Sequence, residues 1–199
     1  GGLLGSAAAR HLAKAGHAVV LVGPGEPADY AQHEGAIVVF SRPANNRLGM
    51  WLLGSDCAVW ELSRMWAPDG HRPNLLTEAI SRCTAQFLRA VGGVQACPAL
   101  VSYADPNAGH LGGIYRAASW QYLGQSEEGR SYVDARGIAV ARRSFHSGGR
   151  ALRKAEIEAR GFSERKLPGK HRFALVLTRE ARRKISSHPN ACAWPQTVA

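Results

Sequence analysis

The stretch with most chemistry in it runs Val101-Ser102-Tyr103-Ala104-Asp105-Pro106-Asn107-Ala108-Gly109-His110 and on through Leu111-Gly112-Gly113-Ile114-Tyr115. An apolar strand that ends in a carboxylate, followed by a Pro/Gly turn into a helix, is where α/β sheets place ligands. Asp105 in that position could act as a general base, a metal ligand or a helix N-cap. His110, at the opening of the helix, reads more readily as a packed or capping residue than as a metal ligand. Ser102 and Asp105 fall on opposite faces of a regular strand, so they are not read as a dyad.

Charge is the second functional signal. Residues 136–184 hold 15 Lys/Arg against 4 Asp/Glu, whereas the rest of the chain holds 10 against 11, so the whole net charge of +10 resides in that stretch. A concentrated positive patch attracts a polyanion through its long-range field and through counterion release. The four cysteines (Cys57, Cys83, Cys97, Cys192) are scattered with no C-x-x-C pair, which disfavours structural zinc and suits a reducing cytosol. The longest apolar runs fall far short of the roughly 20 residues of a membrane helix. No basic-then-apolar leader opens the sequence, so the expectation is a soluble cytoplasmic protein with no membrane partner.

The elements that must position these residues follow from periodicity. Ala36–Phe40 and Leu48–Leu53 are expected strands, joined by a polar turn. Ala58–Trp66 is a third strand, whose alternation puts Trp60, Leu62, Arg64 and Trp66 on one face. Asn74 is expected to cap a helix running to about Val91, with Leu76, Ile80, Cys83, Phe87 and Val91 as its buried stripe. Pro98–Ala104, Trp120–Gly124 and His171–Leu177 read as strands, and Ser131–Ala141 as a strand or hairpin. Gly109–Ser119, Gly149–Arg160 and Arg179–Lys184 read as helices. The fold class is therefore α/β, with a mixed sheet flanked by helices. Three segments are expected: an appendage over residues 1–35, a main domain over 36–185 and a flexible tail over 186–199.

In the first segment, a glycine turn (Gly1-Gly2-Leu3-Leu4-Gly5), a helix-like stretch and the strand His17–Val22 make the second half of a nucleotide-binding βαβ unit. It resembles the start of flavin-dependent amine and amino-acid oxidases. The first strand and first glycine of that motif are missing, and Gly23 stands where an acidic residue should hold ribose. FAD is therefore not expected to bind, and the segment reads as a truncated helix–strand remnant.

Over residues 36–185 several blocks in order resemble the phage Mom family of DNA adenine-modification proteins. They are Val59-Trp60-Glu61-Leu62-Ser63-Arg64-Met65-Trp66, Ser102-Tyr103-Ala104-Asp105 through Arg116-Ala117, Trp120-Gln121-Tyr122-Leu123-Gly124, and Gly169-Lys170-His171-Arg172-Phe173. The resemblance implies an acyl-CoA N-acetyltransferase-like fold. It also implies conversion of adenine in phage DNA to N6-carbamoylmethyladenine, which evades host restriction. It carries Arg64, Asp105 and Tyr115 over as catalytic residues and implicates iron; Asp105 would either activate the attacking amine or hold the metal. DNA is the implied partner, with Lys170 and Arg172 as phosphate contacts.

Two departures stand out. The His-Tyr pair of the family's N-terminal part is absent, and the oxidase-like segment occupies its place. Where acetyltransferases set a Gly-rich turn ahead of the long helix, this chain reads His71-Arg72-Pro73-Asn74-Leu75-Leu76, so acetyl-CoA is not expected as cofactor. The alternatives are a conventional acyl-CoA-dependent N-acetyltransferase and a non-catalytic DNA-binding remnant.

Overall fold

The computed structural model describes residues 17–22, 35–140, 144–147 and 149–194, with 17–22 and 147 described as backbone alone. The glycine turns at Gly1–Gly5 and Gly23–Gly25 lie outside them. The described chain divides into two compact units. The larger comprises the residues up to Tyr103, Gly112–Gly124 and those from Arg172 onward; the smaller comprises Ala104–Leu111 and Gln125–His171. Among the described residues no helix is long and apolar enough to cross a membrane.

The larger unit is built on a six-stranded sheet in the order β1 (His17–Val22), β2 (Ala36–Ser41), β3 (Trp60–Trp66), β4 (Ala99–Ala104), β11 (His171–Val176) and β5 (Gln121–Gln125). β1 and β2 pair antiparallel, as do β2 and β3, whereas β3 and β4 run parallel through Trp60–Leu100 and Glu61–Val101. The sheet is thus mixed, as the alternation of strands and helices in the sequence implies.

One face carries α2 (Leu75–Val91). Phe87 of α2 stacks on Phe40 at 4.5 Å and meets Trp60 edge-on at 5.0 Å. The buried residues of α2 are Leu75, Ala79, Ile80, Cys83, Thr84 and Phe87, so the apolar stripe begins at Leu75 and not at Leu76. Nor does the Asn74 side chain cap this helix: Asn74 is left-handed at φ 63, a conformation Asn tolerates, and its carbonyl accepts from the Glu78 N–H.

The other face is covered by α1 (Leu48–Leu53) and α5 (Arg179–Ser186). Leu48, Leu52, Leu53, Val59, Val101, Ala174, Ala181 and Ile185 form its core. The expectation of a strand at Leu48–Leu53 is corrected here. Leu48 and Leu52 are buried four residues apart while Met50 is 53% exposed, a helical period. Gly54, left-handed at φ 63, closes the helix with its N–H on the Met50 carbonyl. Six apolar residues in a row carry no period by themselves, and packing against α5 decides.

A second correction lies in β3. The register slips between Val39 and Phe40, with Phe40 opposite Leu62 but Val39 opposite Arg64. Ser63 is therefore the extra residue of a β-bulge, with its hydroxyl on the Val39 carbonyl at 3.2 Å. Beyond a bulge the alternation inverts. Trp60 and Leu62 point toward α2, whereas Arg64 and Trp66 project from the opposite face.

The smaller unit contains a three-stranded antiparallel sheet of β10 (Ser163–Leu167), β6 (Gly129–Val133) and β7 (Ala139–Val140), and a short hairpin of β8 (His146–Ser147) and β9 (Arg150–Ala151). Its core is Tyr132, Phe145, Leu152 and Ile157. Of the strand or hairpin expected over Ser131–Ala141, the structure forms the hairpin: Asp134 closes the β6–β7 turn by accepting from the backbone N–H of Arg136 (2.9 Å) and Ile138 (2.8 Å). The expected helix at Gly149–Arg160 contracts to α4 (Lys154–Glu158), because Arg150 and Ala151 pair within β9 and Leu152 turns into the core.

The cysteines differ sharply in environment. Burial pushes the Cys83 thiol up to about 12 and the Cys97 thiol to about 11, whereas Cys192 is exposed. Folded-state values above the unfolded one mean that these thiols' contribution to stability is intact below about pH 9 and is lost as pH climbs toward 12. At pH 8, iodoacetamide should modify Cys192 rapidly and leave Cys83 and Cys97 unlabelled until denaturant is added. Mass mapping of labelled peptides checks this, and early modification of Cys83 would contradict its burial.

Candidate functional site

In the smaller unit the site begins with Asp105, the first residue after β4. Its backbone is extended (φ −97, ψ 107), and it caps the 3₁₀ turn Pro106–Ala108. Oδ1 accepts from the Asn107 backbone N–H at 3.0 Å and from the Asn107 amide Nδ2 at 2.9 Å, and the Lys170 ammonium stands 3.4 Å from Oδ2. Burial alone would raise this carboxyl. The hydrogen bonds from Asn107 and the charge of Lys170 outweigh it and hold Asp105 below the ordinary aspartate value. At neutral pH Asp105 is therefore an anion and a weak base, suited to accepting a hydrogen bond from an amine. Its side chain is 32% exposed, so a partner can reach it.

Lys170 is held by backbone. Its N–H donates to the Ser126 hydroxyl (2.9 Å), and its carbonyl accepts from the Ser126 N–H (2.8 Å). Gly169 makes that approach possible: a Cβ there would lie 1.9 Å from the Ser126 carbonyl oxygen.

In the larger unit Tyr115 lies in α3 (Gly113–Ala117) and is buried at 6% exposure. Its ring stacks on Phe173 at 4.7 Å and tilts against Trp120 at 5.1 Å. Its hydroxyl is 2.6 Å from Ser102 Oγ, and Ser102 donates to the Leu62 carbonyl at 2.7 Å. A serine hydroxyl has one proton, so Tyr115 is the donor to Ser102. Burial raises the phenol's pKa and the Ser102 bond offsets part of that, which keeps the proton on Tyr115.

Arg64 is exposed, and its Nη1 donates to the Ser63 carbonyl at 2.7 Å. Because of the bulge it lies across the sheet from Tyr115. Arg172 sets its guanidinium over the Trp51 ring, 4.9 Å from the centroid, with Nε buried. The structure thus joins Asp105 with Lys170 and Tyr115 with Ser102, but does not bring Arg64 onto the face that holds Tyr115.

Sequence reasoning missed the Ser102–Tyr115 pair. A small hydroxyl inside a fully apolar strand was its only trace. It missed also the ring column in which Trp194 stacks on Phe173 at 5.0 Å and on Tyr122 at 5.6 Å. His110 is exposed, and its N–H donates to the Asp105 carbonyl at 3.0 Å.

The donors around Asp105 do not suit iron. Its neighbours are an amide and an ammonium, and no group of three or more His, Cys, Asp or Glu able to hold a metal occurs among the described residues.

The model of the Mom protein family matches residues 31–194, which spans the blocks of Arg64, Asp105, Tyr115 and Lys170. The chain belongs to the Mom protein family. A comparison with curated proteins gives no match. Mom membership points to phage DNA modification, with DNA as the substrate.

Proposed function

We propose that this Mom family member is a transferase that places a carbamoylmethyl group on N6 of adenine in phage DNA, protecting it from restriction. The observation that carries the reading is the family match, which covers every block holding a candidate residue. Adenine N6 is engaged in pairing within a duplex, so the base is taken either flipped out or single-stranded.

Asp105 accepts a hydrogen bond from the exocyclic amine and orients its lone pair toward the donor. Arg64, exposed and without a carboxylate partner among the described residues, is the larger unit's candidate contact for an anionic group. Tyr115 is a positioning residue, acting through Ser102 on the end of β4. Lys170 contacts phosphate when it exchanges Asp105 for the backbone, and Arg172 does so from its place over Trp51. The mixed sheet, with its parallel β3–β4 pair joined through α2, supports an acetyltransferase-like reading of the fold. The loop before α2 supports no acetyl-CoA requirement.

The test is nucleoside mass spectrometry of DNA from bacteria expressing the chain. Carbamoylmethyl-deoxyadenosine is expected, and Asp105→Asn should lower its yield by about 100-fold, the scale of a positioned proton acceptor. Asparagine preserves the N-cap, so DNA retention and folding should survive the change. Only unmodified deoxyadenosine from the parent chain would refute the transferase. Retention of DNA in that case would leave a binding remnant.

A further inference from the structure

We propose that the exposed face of α5 and the groove beside it form a docking surface of the larger unit for the phosphate backbone of DNA. The proposal rests on DNA being the substrate and adds where, and by which residues, the backbone is held.

Local pairing absorbs much of the basic stretch. In the smaller unit Arg130 pairs with Glu164, Arg136 with Asp134, Arg150 with Glu156, Lys154 with Glu158 and Glu164, Lys166 with Glu128 and Lys170 with Asp105. An ammonium already facing a carboxylate gives up that partner when it takes a phosphate, which reduces its net gain. α5 is different. Its one acid, Glu180, is taken by Lys184 at 3.1 Å. Arg179, Arg182 and Arg183 are exposed and have no carboxylate partner among the described residues.

Those guanidinium groups stand on a fixed platform. Ala181 and Ile185 anchor the other side of α5 in the core against Leu48, Leu52 and Leu53, and the Thr178 hydroxyl caps the helix by accepting from the Ala181 N–H at 3.1 Å. Arg179 and Arg183, four residues apart, share one side of the helix. They line a groove of about 450 Å³ together with Ser55 and Gln95, whose side chains can donate hydrogen bonds to phosphate oxygens, and with Glu180, whose charge Lys184 offsets. Arginine's planar fork takes phosphate in two parallel bonds. No aromatic ring lines the groove, so it offers no platform on which a base could stack.

Filter binding of the full chain to a duplex of fixed length, measured across a salt series, tests this. The plot of log affinity against log salt should flatten by about 1.8 in Arg179→Gln/Arg183→Gln, two contacts at roughly 0.9 each. The control Arg89→Gln/Arg116→Gln removes the same charge from α2 and α3 and should leave the slope within about 0.5 of the parent's, because distant charges act by screened field and not by contact. All four side chains are exposed, and unchanged thermal midpoints would confirm intact folds. A parent-like slope in the α5 variant, or an equal loss in both variants, overturns the docking surface. Absence of DNA binding by the parent even at low salt overturns instead the DNA reading on which it rests.

Discussion

Tyr115→Ala should cost the larger unit about 3–5 kcal/mol, enough to unfold a marginal domain. The ring is 6% exposed, lies against Phe173 and Trp120, and reaches across to Ser102. Removing it opens a cavity bounded by aromatic rings that cannot collapse inward, and it leaves Ser102 Oγ, which still donates to the Leu62 carbonyl, without the donor it accepts from. Tyr115→Phe is the informative companion. It keeps the packing and deletes a single donor, so the expected loss is about 1 kcal/mol. Urea denaturation followed by tryptophan fluorescence separates the two variants, and equal midpoints for them would contradict the packing. The same pair bears on function. A positioning role predicts that Tyr115→Phe keeps most of the modification activity, whereas complete loss at unchanged stability would show the phenol acting directly.

Gly112→Ala should destabilise by a comparable amount, about 2–5 kcal/mol, from two sources that add. Gly112 has φ +83, where an L side chain is strained by roughly 1–2 kcal/mol. Its Cβ would also fall 2.2 Å from Phe173 Cζ and 2.6 Å from Cε2, and crowding of this kind costs about 1–3 kcal/mol. Phe173 has no room to yield, being fully buried and stacked between Tyr115 and Trp194. The neighbouring Gly113→Ala is the control. It has ordinary φ and nothing within 4 Å of a Cβ, and it opens α3, so its midpoint should stay level or rise by up to about 1 kcal/mol. A Gly112→Ala midpoint equal to the parent's would mean that the glycine is not forced by this packing.

These two residues show why the Gly109–Tyr115 block was conspicuous as sequence yet ambiguous in role. The glycines are required by a left-handed backbone and a ring edge, and neither the ring nor its position could be seen from the block itself. Asp105 stood out for the same local reason, a carboxylate at the end of an apolar strand. Of the roles left open for it, the N-cap is visible in the Asn107 hydrogen bonds. That Lys170, 65 positions later, would face it depended on the long-range hydrogen bonds between Ser126 and Lys170.

The amino-acid order alone determined what local periodicity and composition encode: an α/β chain, the long α2 helix with its buried stripe, the interior strand before Asp105, the β6–β7 hairpin and a surplus of positive charge near the C-terminal end. It also carried the ordered blocks by which the family is known. Tertiary structure decided the rest. Packing against α5 made a helix of Leu48–Leu53, and a single inserted residue, Ser63, turned Arg64 away from Tyr115. Ion pairing separated the cations already committed to carboxylates from those that α5 leaves open. Each of these outcomes depends on a partner distant in the chain, and short-range patterning contains no information about which partner arrives.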